Sequence, residues 1–137
     1  MGEALFTKAG QTSLKFPVNP SYPGGLVVES GVVNCVTEGG GRYAYRKSEP
    51  YVLFTLRFSG LPASAYDGGY DYALRVQVSG SQSLVNWFLN VCSDRSEFSY
   101  SDPFGKTHAV TIEDDRLLFS LADHELYDGT ITLRKKA

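Results

Sequence analysis

Hydrophobic and polar positions alternate most regularly between residues 51 and 58. One side of this alternation carries four large apolar residues: Val52, Phe54, Leu56 and Phe58. Leu53, Thr55 and Arg57 fall on the other side. Period two over a stretch of this length predicts a strand with one buried face. Gly60 and Pro62 predict its end.

Shorter stretches of apolar and β-branched residues predict further strands on both sides of this one. They lie at 26–36, 42–46, 74–78, 98–101, 107–113, 116–121 and 131–133. Gly31 marks a bulge or a turn within the first of them. Asp128-Gly129 carries the dipeptide of a tight hairpin, and Asp114-Asp115 marks another reversal. The last forty residues are therefore predicted to form a meander.

The segment 14–25 contains three prolines within seven residues, at positions 17, 20 and 23. Proline lacks the backbone donor that a helix or a central strand needs. The segment is therefore expected to be extended and to lie along a sheet edge or over the surface. Residues 1–13 are mixed in character and are expected to be a loosely ordered N-terminus. Residues 14–137 are predicted to form a single β-rich domain.

The stretch 83–92 fits two periodicities. As a strand, it would place Val85, Trp87 and Leu89 on the inner face. As a helix, it would place Leu84, Phe88 and Val91 together, with Ser83 available as the N-cap. Both alternatives remain open, and the helix is favoured.

Aromatic residues make up 13% of the chain, with nine Tyr and eight Phe. Aromatic and β-branched residues favour strands over helices. The predicted fold class is therefore mainly β: an antiparallel β-sandwich or a partly open barrel, with room for one helix.

The net charge of −2 lacks the basic field that nucleic acids require, so no nucleic-acid partner is expected. No stretch approaches the about 20 apolar residues of a membrane helix, so no membrane association is expected. Cys35 and Cys92 lack metal-site spacing and are interpreted as reduced, buried thiols.

The stretch EFSYSDPFGKTH, residues 97–108, has the strongest resemblance to a site. Asp102, Pro103 and Gly105 occupy the first, second and fourth positions preferred in a type I turn. His108 then falls in a strand, and the spacing of His108 and His124 matches no metal motif. We therefore interpret this stretch as a structural turn, and expect no catalytic residue, no metal and no cofactor.

Two loops are candidates for interaction surfaces. Gly39, Gly40 and Gly41 predict a hairpin loop, since no phosphate-binding motif follows them. The sequence SAYDGGYDYA carries Tyr66, Tyr70 and Tyr72 among Gly and Asp. Tyrosine supplies contact area at low entropic cost. The alternative is that these tyrosines cover a core edge.

The order of these features resembles small tail proteins of bacteriophages and prophages. The resemblance spans residues 14–134. It is carried by LKFPVNP at 14–20, YVLFTLRF at 51–58 followed by Leu61-Pro62, FSYSDPFGKTHAV at 98–110 and TITLR at 130–134. The loop at 63–72 does not match the pattern.

The resemblance implies a non-enzymatic virion component of a tail tube, tip or baseplate. Its partners would be other tail or baseplate proteins and further copies of itself. It would reside in the bacterial cytoplasm during assembly and then in the virion. The alternative function is a ligand-binding β-sandwich, such as a carbohydrate-binding module that uses Trp87 or the loop tyrosines.

Overall fold

Strands dominate the computed structural model, which describes residues 3–78 and 82–136. Within these residues the chain forms twelve strands and two short helices. The strands are β1 Leu5–Thr7, β2 Leu14–Lys15, β3 Leu26–Glu29, β4 Val32–Val36, β5 Arg42–Arg46, β6 Tyr51–Pro62, β7 Tyr70–Asp71, β8 Val76–Gln77, β9 Phe98–Ser101, β10 Thr107–Ile112, β11 Leu118–Asp123 and β12 Leu126–Lys136. The helices are α1 Ala63–Tyr66 and α2 Leu84–Asn86, and α2 continues in a π-helical turn, Trp87–Val91.

Eight strands form one antiparallel sheet in the order β2-β1-β9-β10-β12-β6-β3, with β11 paired to β12 beside this path. The long strand β12 pairs with β6 on one side. On its other side it pairs first with β11 and then with β10. Two further pairs, β4–β5 and β7–β8, stand outside this sheet. The mainly β, antiparallel fold predicted from the sequence is confirmed.

The large sheet curls so that its two ends face each other. Phe16, which follows β2, contacts Phe6 of β1 at 4.9 Å and Phe58 of β6 at 4.7 Å between ring centroids. Ser21 and Arg57 exchange both backbone hydrogen bonds at 2.9 Å. The segment after β2 therefore crosses from one end of the sheet to the other. The proline-containing segment is only partly extended, because it bends at 17–18 and turns at 22–25. Its Leu14 and Phe16 belong to the core.

Strand β6 presents the predicted alternation, and the four residues predicted to face inward are buried, as is Leu61 near its end. The strand continues past Phe58 and Gly60 and ends at Pro62, the second of the two residues predicted to end it. Gly60 has a φ of +75° at an irregularity in the register with β12. Its N–H donates to the Asp128 carboxylate at 2.7 Å. Glycine therefore forms a bulge here, and does not stop the strand.

The hairpin predicted at Asp128-Gly129 is wrong, because both residues lie inside β12. The chain reverses between Asp123 and Leu126, where Glu125 takes a φ of +58°. A Cβ on Gly129 would lie 2.5 Å from Phe119 Cγ. Position 129 therefore requires glycine because the neighbouring strand comes too close for a side chain. The dipeptide Asp-Gly alone does not distinguish this role from a tight turn.

The strand predicted at 74–78 is also largely wrong, since β8 contains only Val76 and Gln77. Arg75 takes a φ of +57°, which interrupts the extended backbone. The Asp71 carboxylate accepts hydrogen bonds from the N–H groups of Ala73 and Leu74, at 2.9 and 3.0 Å. This local turn replaces the alternating strand, and the apolar residues of the stretch are exposed.

The N-terminal segment differs from the expectation of loose order. Phe6 of β1 is fully buried and pairs with Tyr100 in the ladder between β1 and β9. Ala4 is buried beside it. A strand of three residues is too short to give a periodic signal in the sequence. Residues 1 and 2 lie outside the described part of the chain.

The helix favoured at 83–92 is confirmed as α2 and its π-helical turn. The Ser83 hydroxyl accepts a hydrogen bond from the N–H of Asn86 at 3.2 Å, as an N-cap does. Trp87 is fully buried against Phe6 and Phe98, at centroid distances of 5.7 and 5.5 Å. The helix thus covers the part of the core formed by β1 and β9. No helix in the described residues is long and apolar enough to cross a membrane.

Candidate functional site

The turn at 102–105 has the predicted form. The N–H of Gly105 donates to the Asp102 carbonyl at 3.2 Å. Asp102 Oδ1 accepts hydrogen bonds from the N–H groups of Phe104 and Lys106, at 3.0 and 2.9 Å. Pro103 is buried at the second position, and Gly105 takes a φ of +88°. Asp102, Pro103 and Gly105 therefore hold the shape of this turn.

Gly105→Ala is expected to lower the free energy of unfolding by about 1–2 kcal/mol, because a Cβ is strained at this positive φ. No atom lies within 4 Å of the added Cβ, so the variant tests the backbone conformation at residue 105 without a steric clash. Gly39→Ala is the matched control, since Gly39 is also in a turn with open space but needs no positive φ. Urea unfolding measures both. Equal stabilities of the two variants would contradict the turn's requirement for glycine.

The second oxygen of Asp102 connects the turn to two other strands. Asp102 Oδ2 lies 3.1 Å from His108 Nε2 on β10. His108 Nδ1 lies 3.2 Å from Lys135 Nζ on β12. Burial raises the pKa of Asp102, but hydrogen bonds from Lys106, His108 and Phe104 outweigh it and hold the pKa below the usual range. The carboxylate is therefore charged at neutral pH and is already satisfied by these donors.

Two tyrosines meet beside this row of residues. The hydroxyl groups of Tyr22 and Tyr100 lie 2.5 Å apart. Burial raises the pKa of both phenols, so both are protonated at neutral pH. The Tyr100 ring stacks on the His108 ring at a centroid distance of 6.1 Å. The two phenol hydroxyl groups and the His108 imidazole therefore lie close together beside the core.

These groups surround a cavity of about 260 Å³, which we call the mouth pocket. Its lining residues are Tyr22, Gly25, Leu26, Phe54, Tyr100, Asp102, Phe104, Lys106, His108 and Lys135. His108 and Lys135 extend inward-facing rows whose next members, Val110 and Leu133, are buried. The pocket therefore lies where the apolar core ends and polar groups begin.

The sequence places His108 on the same strand face as Val110, but it does not show the convergence of His108 with Lys135 and Tyr22. These three residues come from β10, β12 and the loop before β3, and a curled sheet brings them together. Both ring nitrogens of His108 are engaged, by Asp102 and Lys135. No group of three or more His, Cys, Asp or Glu side chains among the described residues could hold a metal.

The three candidate tyrosines at 63–72 do not share one exposed surface. Tyr66, half-buried in α1, stacks on Tyr127 at a centroid distance of 4.4 Å. Tyr70 is buried, and its hydroxyl accepts a hydrogen bond from Asn90 at 3.2 Å. Tyr72 is 60% exposed. The alternative interpretation, that such tyrosines cover a core edge, holds for Tyr66 and Tyr70.

The candidate glycines at 39–41 form the loop of an exposed hairpin, as predicted. The Thr37 N–H donates to the Gly41 carbonyl at 2.7 Å, and the Gly40 N–H donates to the Thr37 carbonyl at 3.0 Å. Strands β4 and β5 form this hairpin, which we call the 32–46 hairpin. No residue of either strand is buried. Tyr43 and Tyr45 are 54% and 50% exposed and stack on each other at 6.5 Å.

The edge strand β3 adds a second exposed apolar surface, since Leu26, Val27 and Val28 are all exposed. Strand β3 pairs with β6 on one side and ends the order of the large sheet. Its other side is therefore an open edge among the described strands.

Trp87 cannot act as a platform for a sugar ring, because its side chain is fully buried. Cys92, also buried, has its pKa raised by burial, an effect that the nearby charge of Lys8 partly offsets. Cys35 on the 32–46 hairpin is half-buried, and both thiols are free. No family model matches the chain, and no curated protein matches it significantly.

Proposed function

We propose that this protein is a non-enzymatic structural component of a phage or prophage tail that works by associating with itself or with other tail proteins. The observation that carries the proposal is the 32–46 hairpin, a two-stranded element with no buried residue. The tail assignment comes from the resemblance of residues 14–134 to small tail proteins. The hairpin supplies the surface that such a role needs.

An isolated two-stranded hairpin is marginally stable in water, because it lacks a hydrophobic face covered by another layer. The 32–46 hairpin exposes Val36, Tyr43 and Tyr45, whose burial would stabilise it. Strand β3, which precedes it directly, offers unpaired backbone groups and exposed apolar side chains. Open edges of this kind pair with strands of partner proteins. The 32–46 hairpin and the open edge of β3 together favour the binding of a protein partner.

The chemistry of the mouth pocket supports a non-enzymatic role. A histidine acts as a general base through a free ring nitrogen near a substrate proton. His108 has Asp102 on one nitrogen and Lys135 on the other. The Cys92 thiol is buried with a raised pKa, which disfavours the reactive thiolate.

One observation supports the alternative function, a ligand-binding β-sandwich: the presence of the mouth pocket. A carbohydrate-binding module would stack sugars on exposed aromatic rings, and the buried Trp87 removes the platform that the sequence offered. Of the loop tyrosines, only Tyr72 is well exposed.

The double substitution Tyr43→Ser and Tyr45→Ser is expected to abolish tail assembly while the domain stays folded, because neither side chain contributes to the core. The test uses a strain that carries the gene, with its own copy deleted and replaced by variants. Electron microscopy then counts tailed particles, and thermal melting of each purified variant checks the fold.

Leu121→Ser is the control, since it removes an exposed apolar side chain outside the hairpin and outside the tyrosine loop. It is expected to leave tails intact. Normal tails after deletion of the whole gene would overturn the tail assignment. Normal tails with the double variant alone would overturn the role of the hairpin.

A further inference from the structure

We propose that the mouth pocket is a binding site for a small organic anion, in which a carboxylate is attached to an apolar, preferably aromatic, body. Lys135 would bind the carboxylate, and the walls would hold the apolar body. This inference goes beyond the structural role in a tail and does not depend on it.

The size of the pocket limits the ligand. A volume of about 260 Å³ corresponds to roughly eight or nine waters at ~30 Å³ each. Pockets for drug-sized molecules span about 300–1,000 Å³, so this one suits a single ring with a short chain.

The walls of the pocket are mainly apolar. Phe54 and Tyr100 are buried core residues, and Leu26 of β3 and Phe104 of the turn line the opening. An apolar body placed between these residues leaves water, which favours binding. Because the walls are apolar, the few polar groups at the pocket determine which charge the ligand carries.

Lys135 gives the pocket its positive charge. Its ammonium group has three donors, and His108 Nδ1 accepts one of them at 3.2 Å. The ion pairs found in residues 3–78 and 82–136 are His108–Asp102 and Arg134–Glu113, so Lys135 has no carboxylate within 4.0 Å there. Lys106 also lines the pocket and is a second cationic residue there.

The acidic group at the pocket is not available to a cationic ligand. Asp102 accepts from two backbone N–H groups and faces His108 with its other oxygen. The tyrosine pair provides a further donor, because Tyr22 and Tyr100 carry two hydroxyl protons and their mutual hydrogen bond uses one. An ammonium cation and a hydroxyl proton that line one apolar pocket match a carboxylate.

Two sources could supply such a ligand: a free aryl-alkyl carboxylate, or the C-terminal carboxylate of a peptide that ends in an aromatic residue. Gly25 and Leu26, where β3 begins, line the pocket, so a peptide end could reach it from the open sheet edge. The chemistry at Lys135 is the same for both sources.

Binding is measured by amide chemical shifts of the full chain during titration with 3-phenylpropionate. The expected dissociation constant lies between about 0.1 and 5 mM, given the ligand's size. The neutral 3-phenylpropan-1-ol and the cationic 3-phenylpropylamine are expected to bind at least about tenfold more weakly. Short peptides ending in Phe, with a free or an amidated C-terminus, show which source binds more tightly.

Lys135→Met keeps the apolar stem and removes the charge, and is expected to weaken 3-phenylpropionate binding about tenfold or more. Lys136→Met is the matched control, because the neighbouring residue is exposed and points to the opposite side of β12. It is expected to change the affinity by less than about twofold.

The proposal is overturned if the acid and the alcohol bind the unmodified protein equally, or if no saturation occurs below roughly 10 mM. It is also overturned if both lysine variants weaken binding alike, which would indicate general surface charge. The comparison of ligands on the unmodified protein stays decisive if Lys135→Met fails to fold.

Discussion

Replacing Phe6 by alanine will lower the free energy of unfolding by about 3–5 kcal/mol, the usual cost of removing a buried aromatic side chain. Phe6 is fully buried, and its ring contacts four other aromatic rings: Phe16, Trp87, Phe98 and Tyr100. It joins β1, β9 and the segment after β2 to the helix at 84–91. Since a domain is stable by only about 5–15 kcal/mol, this variant loses a large part of its stability.

Guanidinium unfolding followed by fluorescence gives the change for Phe6→Ala. Phe104→Ala is the control, because the Phe104 side chain is 71% exposed and its loss should cost at most about 0.5 kcal/mol. A loss of less than about 1 kcal/mol for Phe6→Ala would show that the N-terminal strand is not docked in the core.

The second large effect is expected at Gly129, where alanine will lower the free energy of unfolding by about 1–3 kcal/mol through overpacking. The added Cβ would lie 2.5 Å from Phe119 Cγ and 2.7 Å from the Leu118 carbonyl oxygen. Either the Phe119 ring or the whole of β11 must move away from β12. Thermal unfolding measures the loss of stability. Hydrogen exchange at 118–121 shows whether β11 has moved away from β12.

A double-mutant cycle identifies the clash as the cause. In the background Phe119→Ala, the cost of Gly129→Ala is expected to fall, because most of the obstructing ring is gone. Gly39→Ala, where no atom lies within 4 Å, is the neutral control. An unchanged cost of Gly129→Ala in the Phe119→Ala background would rule out the Phe119 ring as the cause and indicate the Leu118 carbonyl or the backbone.

Local pattern was sufficient wherever neighbouring residues determine the conformation. The inward face of β6 follows from its period of two, and the Asp102–Gly105 turn follows from residues that bond to their own backbone. The N-cap of the helix at 84–91 likewise uses Ser83 and a group three residues away. These interactions span a few residues, so the sequence by itself determined them.

Tertiary structure decided everything that depends on which surfaces face each other. Gly129 is a turn signal in sequence but lies opposite Phe119, because β11 pairs with β12 in that register. Phe6 lies in a strand too short to show a period, and only its aromatic neighbours reveal that it is core. The mouth pocket exists because a curled sheet brings Tyr22, His108 and Lys135 together from distant positions. Such contacts are set by the curl of the whole sheet, which no local pattern encodes.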